Sequence, residues 1–190
     1  MDKFKKIKLK KNKTKIICLT AYSKNIAQII DKHTDLILVG DSLGSVLYNF
    51  KSTRSVTLEM MIEHSRSARQ GISNSLMIVD MPYNTYNNPT QALKNCKKVM
   101  KLTKCDGVKL EGGLKIIKVV KLLIKNKIPV MGHLGIMPQF TKGKFKSKGK
   151  SVKEKKEIIR DSKLLEDAGA FSIVLECVEK NLAKEITNSI

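Results

Sequence analysis

The chain has 190 residues, of which 42% are hydrophobic and 28% charged, and these values are ordinary for one soluble globular domain. Its formal net charge is +20, and nearly all of it comes from lysine, because only four of the 37 basic residues are arginine. Proteins that read nucleic acid rely on arginine forks and stacking aromatic side chains, whereas aromatics make up only 5% of this chain and tryptophan is absent. The charge therefore favours a lysine-rich solvated surface over a nucleic-acid partner.

The cysteines and the apolar runs bear on the cellular compartment. Cys18, Cys96, Cys105 and Cys177 are widely spaced, which argues against a zinc site or a disulfide framework and for a reducing environment. The apolar stretch IICLTAY after the basic start is too short for a secretory signal, and no run approaches the length needed to span a bilayer. We expect a cytoplasmic protein without a membrane partner.

Short strand-like runs alternate with helical patterns along the chain. The runs are 15–22, 35–40, 76–80, 107–111, 128–133 and 171–177. The helical patterns cover 57–70, 88–104, 113–127, 153–170 and 179–190. Thr57 and Asn88 are typical N-cap residues, and Pro89 suits a first helical position. The alternation predicts an α/β fold with a parallel sheet and about six βα units within one domain, 1–190.

Two architectures share this alternation, the doubly wound sheet and the (β/α)₈ TIM-type barrel, and periodicity alone does not separate them. No G-x-G-x-x-G or Walker sequence follows a strand, and this disfavours a nucleotide-binding sheet.

Polar side chains stand at the carboxyl ends of the predicted strands. They are Asp41, Asp80, Lys109, Glu111, His133 and Glu176. In barrels and open α/β sheets alike, these ends lie on one face, which carries the active site. Each residue alone has an ordinary alternative as a cap, a turn residue, an ion-pair partner or a buried histidine, but the six together indicate a site. His33 and His64 lie in or beside helical patterns, where we expect surface or packing roles.

The residue types indicate a particular chemistry. Carboxylates without cysteine or paired histidine suit a hard divalent ion, Mg²⁺ before Zn²⁺. Such an ion polarises a carbonyl oxygen and stabilises an enolate. A lysine suits a substrate carboxylate, and Glu176, insulated by apolar neighbours so that its pKa rises, suits the base. The pattern predicts proton abstraction next to the carbonyl of a small 2-oxo acid.

Several segments, in this order and at these spacings, resemble the ketopantoate hydroxymethyltransferase family. They are ICLTAYS, ILVGDSLGSV, VTLEMMIEH, VKLEGG, IPVMGHLGIMPQ and EDAGAFSIVLECV. The resemblance runs from about residue 14 to the end of the chain. It implies a (β/α)₈ barrel, a homo-oligomer (commonly a decamer), and transfer of a hydroxymethyl group from 5,10-methylenetetrahydrofolate to 3-methyl-2-oxobutanoate in pantothenate biosynthesis.

The resemblance also implies roles for individual residues. Asp41 and Asp80 match Mg²⁺ ligands that also meet the substrate, and Glu111 lies near the metal. Ser42, Lys109 and His133 match contacts to the 2-oxo acid. Glu176 matches the base that removes the C3 proton, after which the enolate attacks the folate-borne carbon.

Two departures from the family pattern stand out. The loop 140–151 is lysine-rich and has lysine where the family has an arginine, which bears on closure over the site and on folate. The sequence also stops after about six βα units, whereas a closed barrel needs about 250 residues. We therefore expect either a fragment lacking the last units or an inactive remnant of the enzyme.

Two other readings compete with this one. The phosphoenolpyruvate mutase and isocitrate lyase group also uses Mg²⁺ and an enolate on a barrel, but its signature cysteine loop is absent here. A nucleic-acid or surface-binding protein could use 1–15 and 142–156, which carry eight lysines each. These runs lack interleaved aromatics, so we interpret 1–13 as a basic tail and 140–151 as a loop.

Overall fold

The computed structural model describes residues 3–141, 143 and 145–190. The chain divides into two compact units. Unit 1 comprises Met1–Pro82 and Lys97–Val108, and unit 2 comprises Tyr83–Cys96 and Lys109–Ile190. The single domain expected over 1–190 stays a prediction.

The strands lie where the sequence predicts them. Within the described residues they are β1 Cys18–Thr20, β2 Leu36–Val39, β3 Leu76–Asp80, β4 Gly107–Glu111, β5 Val130–Gly135 and β6 Ser172–Glu176. Their order in the sheet is β1-β2-β3-β4-β5-β6, without a reversal. The pairs β1–β2, β2–β3 and β5–β6 are parallel. A sequential parallel order is that of a TIM-type barrel, whereas a doubly wound sheet reverses its order at a switch point.

The strands differ in burial. Every residue of β3 and β4 is buried, as expected for continuous apolar runs such as LMIV in a parallel sheet. All three residues of β1 are exposed, and β6 is half-buried along its length. These two strands are the first and last in the sheet order, so each has one strand neighbour in the described sheet. The predicted run 15–22 shortens to Cys18–Thr20 in this exposed position.

The helices follow the strands and connect them. Within the described residues they are α1 Lys3–Lys10, α2 Lys24–Ile30, α3 Leu43–Tyr48, α4 Leu58–Arg69, α5 Pro89–Thr103, α6 Ile117–Lys125, α7 Val152–Asp167 and α8 Lys180–Ser189. Short 3₁₀ turns occupy Asp31–His33, Thr53–Ser55 and Leu114–Ile116. No helix in the described ranges combines the length and the apolar character needed to cross a membrane.

Two predicted helix starts are confirmed by their capping hydrogen bonds. The Thr57 side chain accepts from the backbone N–H of Met60 at 3.2 Å, and Asn88 Oδ1 accepts from Gln91 at 2.9 Å. Both caps satisfy N–H groups that a helix leaves without an internal partner. Pro89 is the first residue of α5, as predicted.

The basic N-terminal segment is more ordered than the tail that we expected over 1–13. Residues 1 and 2 lie outside the described residues, and Lys3–Lys10 forms α1. Ile7 is 7% exposed, and Lys3 Nζ donates to the carbonyl oxygens of Ser73 and Ser75 at 3.1 and 2.9 Å. Lys10 forms an ion pair with Asp35. These contacts dock α1 within unit 1.

The lysine-rich loop expected over 140–151 is described except for residues 142 and 144. Its later part pairs with the chain that follows β6. The N–H of Lys148 donates to Cys177 at 2.8 Å, and the N–H of Glu179 donates to Lys148 at 2.9 Å. This part of the loop is therefore fixed next to the end of β6.

Candidate active site

Two buried aspartates are linked in unit 1. Asp41 follows the apolar strand β2 and Asp80 ends β3, which pairs with β2 in parallel. The N–H of Asp41 donates to Asp80 Oδ2 at 3.1 Å. The two residues are only 4% and 3% exposed. The structure thus brings together two residues that the sequence analysis selected from separate strands.

Gly40 leaves space beside Ser42 and Asp80. A Cβ atom at this position would lie 3.0 Å from Ser42 Oγ and 3.4 Å from Asp80 Oδ2. The missing side chain therefore leaves a small polar recess, with a hydroxyl and a carboxylate facing it. Sequence reasoning selected Asp41 and Ser42 but missed the glycine directly before them.

Ser42 is held by Tyr22, a residue that the sequence analysis did not select. The Tyr22 hydroxyl lies 2.8 Å from Ser42 Oγ. The carbonyl oxygen of Tyr22 lies 2.9 Å from His64 Nδ1, and His64 Nε2 lies 2.9 Å from the Tyr48 hydroxyl. His64 thus has a packing role, as expected, but it packs against the residue that touches the site.

The remaining candidates come together in unit 2 around His133. Lys109 Nζ lies 3.2 Å from His133 Nδ1, and Glu111 Oε1 lies 3.6 Å from the same nitrogen. His133 Nε2 lies 3.2 Å from Glu176 Oε2. Lys109 and Glu111 lie two residues apart on β4, so their side chains share a face. Lys109, Glu111 and His133 are all at most 5% exposed.

His133 lies between Lys109 and Glu176. Its Nδ1 is 3.2 Å from Lys109 Nζ, and its Nε2 is 3.2 Å from Glu176 Oε2. His133 therefore connects the lysine to the carboxylate.

Glu176 departs from the expected environment. Its side chain is 39% exposed because it ends the half-buried edge strand β6. The side-chain hydrogen bond with His133 lowers the pKa of Glu176 most, burial opposes this, and the charges of His133 and Lys109 lower the pKa further. The expected apolar insulation and raised pKa were wrong, because apolar residues precede Glu176 in sequence while a histidine faces it in space.

Glu111 is oriented by residues that come later in the chain. The N–H of Gln139 donates to Glu111 Oε2 at 3.0 Å, and the Tyr86 hydroxyl donates to Gln139 Oε1 at 2.5 Å. Gln139 and Tyr86 are 1% and 4% exposed. Gln139 belongs to the segment GHLGIMPQ, but its own sequence signal did not show that its backbone would hold a carboxylate.

The oxygen ligands of unit 1 fit a hard divalent cation. Mg²⁺ is commonly bound through one or two protein carboxylates and keeps water or substrate oxygens in its other positions. Asp41 and Asp80 supply two buried carboxylates beside the recess that Gly40 leaves. In the described part of the chain, no three side chains of His, Cys, Asp or Glu converge as a ligand set. The fit is thus to an ion that takes two carboxylates, not to a closed protein cage.

Comparison with protein families and curated proteins gives a consistent result. The family model described as Ketopantoate hydroxymethyltransferase matches residues 2–190. A 3-methyl-2-oxobutanoate hydroxymethyltransferase of Pelagibacter ubique (strain HTCC1062) is 69% identical over 95% of this chain and 70% of its own length. A protein of the same name from Agrobacterium fabrum (strain C58 / ATCC 33970) is 46% identical over 97% of this chain and 67% of its own length.

Solved structures with low sequence identity share the fold. A phosphonopyruvate hydrolase in complex with oxalate and Mg²⁺ has a TM-score of 0.73 at 11% identity, covering 100% of this chain and 69% of that one. A 2,3-dimethylmalate lyase, a PEP mutase/isocitrate lyase superfamily member, has a TM-score of 0.70 at 11% identity, covering 98% of this chain and 66% of that one. These similarities confirm the predicted TIM-barrel type of fold, with six βα units in this chain.

Proposed function

Because the chain belongs to the ketopantoate hydroxymethyltransferase family, we propose that it transfers a hydroxymethyl group from 5,10-methylenetetrahydrofolate to 3-methyl-2-oxobutanoate. The product is 2-dehydropantoate, so the reaction belongs to pantothenate biosynthesis. The contact between His133 Nε2 and Glu176 Oε2, at 3.2 Å, is the observation that supports this proposal most strongly. Through this contact, the partly exposed carboxylate of Glu176 is held beside the buried side chains of Lys109, Glu111 and His133.

Glu176 is the base that removes the proton from C3 of the acid. Its side chain is partly exposed and can meet a bound substrate, whereas Glu111 is 1% exposed. The lowered pKa of Glu176, caused first by the hydrogen bond from His133, keeps the carboxylate ionised at neutral pH and ready to accept a proton. His133 Nε2 faces this carboxylate at 3.2 Å and holds it in position.

The other polar residues bind and orient the 2-oxo acid. Ser42 and Lys109 supply a hydroxyl and an ammonium for its oxygens, with His133 beside Lys109. Asp41 and Asp80 hold Mg²⁺, with Glu111 near it as the family resemblance implies. The ion supplies Lewis-acid polarisation of the carbonyl group.

Glu176 takes the C3 proton, and the electron pair of that C–H bond forms the new C–C bond to the methylene carbon of the folate. Both C–N bonds that hold this carbon to N5 and N10 break, and water provides the hydroxyl oxygen of the hydroxymethyl group. The C3 proton and one proton of the water go to the two nitrogens, and tetrahydrofolate leaves. The protein's part is to hold the acid, remove one proton and keep C3 aligned with the donor carbon.

The proposal also covers the cellular compartment and the oligomeric state. We place the enzyme in the cytoplasm as a homo-oligomer, with the decamer of the family as the expected assembly. Size-exclusion chromatography with light scattering tests the assembly directly, since a decamer of a 21.3 kDa chain is far from a monomer in mass.

The full reaction provides the test. The purified chain is incubated with Mg²⁺, 3-methyl-2-oxobutanoate and 5,10-methylenetetrahydrofolate, and 2-dehydropantoate is measured by mass spectrometry. Product should form with the wild-type chain and disappear with Glu176→Gln, while Glu157→Gln, an exposed glutamate on α7, retains activity. A folded wild-type chain that makes no product would favour the inactive remnant.

A further inference from the structure

We infer that Tyr22 is a positioning residue for the 2-oxo acid. Its hydroxyl donates to Ser42 Oγ and so directs the Ser42 hydroxyl proton at the bound acid. His64 holds Tyr22 in place. The inference rests on the proposed function, because it takes Ser42 as a contact to the acid. It adds two residues to that site, Tyr22 after β1 and His64 on α4. All the contacts that carry it lie in unit 1.

In the hydrogen bond between Tyr22 and Ser42, the phenol is the donor. The two hydroxyl oxygens are 2.8 Å apart, and either could donate. A serine that binds an anionic or carbonyl oxygen must use its single O–H proton for that oxygen. Its lone pair then accepts from Tyr22. Linked hydrogen bonds polarise one another, so the phenol strengthens the Ser42 hydroxyl as a donor.

Tyr22 is held by His64 through its backbone carbonyl group. Its carbonyl oxygen lies 2.9 Å from His64 Nδ1 and can only accept, so His64 carries a proton on Nδ1. Nε2 of the neutral ring then accepts from the Tyr48 hydroxyl at 2.9 Å. The position and tautomer of His64 are thus set by one carbonyl group and one phenol.

The neighbours of Tyr22 in sequence are held as well. The N–H of Ala21 donates to Leu38 at 3.1 Å and extends the pairing of β1 with β2. The N–H of Lys24 donates to the Ser67 hydroxyl on α4 at 3.2 Å. Tyr22 therefore lies between two anchored residues, and its phenol is pre-organised before any substrate binds. Pre-organised groups lose less entropy on binding.

Binding and exchange measurements on the full chain test the inference. Binding of 3-methyl-2-oxobutanoate with Mg²⁺ is measured by calorimetry, and exchange of its C3 proton for deuterium is followed by NMR. Tyr22→Phe should weaken binding about fivefold, as expected for one hydrogen bond, and should change the exchange rate at saturation less than twofold. Tyr48→Phe makes the same chemical change on a tyrosine that does not contact Ser42, and it should change binding less than Tyr22→Phe does.

A double-mutant cycle shows whether Tyr22 acts through Ser42. In Ser42→Ala, the further change Tyr22→Phe should have no additional effect on binding. Effects that multiply instead would overturn the inference. His64→Ala should weaken binding like Tyr22→Phe, and His64→Asn should restore it, because the asparagine amide can place an N–H donor near the position of Nδ1.

The outcomes separate this inference from the proposed function. A wild-type chain that binds and exchanges the acid while Tyr22→Phe matches it would overturn the inference alone. Binding without exchange, weakened by Tyr22→Phe, would support the inference and contradict catalysis by this chain. A folded wild-type chain that does not bind the acid at all would overturn both.

Discussion

The polar residues of the two units are supported in different ways. In unit 1, Asp41 and Asp80 are linked through a backbone N–H, and the neighbouring Ser42 is contacted by a phenol. In unit 2, Lys109 and Glu176 are linked side chain to side chain through His133. The first arrangement places two buried aspartates beside the small space that Gly40 leaves. The second arrangement joins an amine, an imidazole and a carboxylate through consecutive side-chain contacts.

This difference assigns different tasks to the two sets. The two buried aspartates of unit 1 supply carboxylate oxygens of the kind that Mg²⁺ prefers, so the arrangement in unit 1 suits a cation. The contact with His133 lowers the pKa of Glu176 and keeps its carboxylate ionised, so the arrangement in unit 2 suits proton removal. Substitutions that affect one task but not the other test this comparison.

Glu176→Gln should abolish proton removal while leaving acid binding nearly intact. The amide cannot accept the C3 proton, so the exchange rate should fall by about 10²- to 10⁴-fold, the usual contribution of a general base. Deuterium exchange and binding are measured on the same preparation, beside Glu157→Gln. A loss of binding equal to the loss of rate would show that Glu176 holds the substrate instead.

Asp80→Asn should affect the cation first. The affinity for Mg²⁺ should fall at least about tenfold, because loss of even an outer partner of a metal ligand costs 10- to 100-fold. Calorimetric titration with Mg²⁺ measures this, and Asp167→Asn, on the exposed end of α7, is the matched control. Equal Mg²⁺ affinity in wild type and Asp80→Asn would contradict the assignment.

Gly40→Ala should impair the recess without unfolding the chain. The added methyl group would lie 3.0 Å from Ser42 Oγ, so Ser42 or the backbone must move. Overpacking of this kind costs about 1–3 kcal/mol. We expect weaker binding of the 2-oxo acid and a thermal midpoint lowered by several degrees. Unchanged binding would show that the recess is not used by the substrate.

The pH profile should report the contact between His133 and Glu176. The folded-state pKa of Glu176 is lowered, chiefly by the hydrogen bond from His133, so exchange should persist as the pH falls to the ordinary glutamate value of about 4.3. His133→Asn should move the acid limb of the profile upward. The same contact stabilises the fold above the unfolded-state pKa, and this contribution is lost as the pH falls through the folded-state pKa. Coincident acid limbs in the two proteins would contradict the contact.

The sequence predicts the strands well because their signal is local. Runs such as LILV and LMIVD are apolar throughout, and parallel packing buries them on both faces. The caps at Thr57 and Asn88 are predictable for the same reason, since one side chain satisfies N–H groups three residues away. Helix α1 has no comparable signal. Its stability comes from distant contacts, such as those between Lys3 and the carbonyl groups of Ser73 and Ser75.

The candidate site is only partly predictable for a related reason. The positions of Asp41, Asp80 and Glu176 follow from the rule that the carboxyl ends of parallel strands share one face. The protonation of Glu176 does not, because it depends on His133 across the β5–β6 pair rather than on the preceding apolar residues. Tyr22, His64 and Gln139 lie within segments that carry the family resemblance, but their contacts were not predicted, because none of them ends a strand and each acts on the site through another residue.

Proton–deuterium exchange at C3 of 3-methyl-2-oxobutanoate, followed by NMR in D₂O with Mg²⁺ and without folate, tests the proposed chemistry most directly. It isolates proton removal from the transfer step. Exchange that requires Mg²⁺ and is lost in both Glu176→Gln and Asp80→Asn would establish the division between a cation-binding and a proton-removing set. Exchange that persists in both variants, or a folded wild-type chain that shows none, would contradict it.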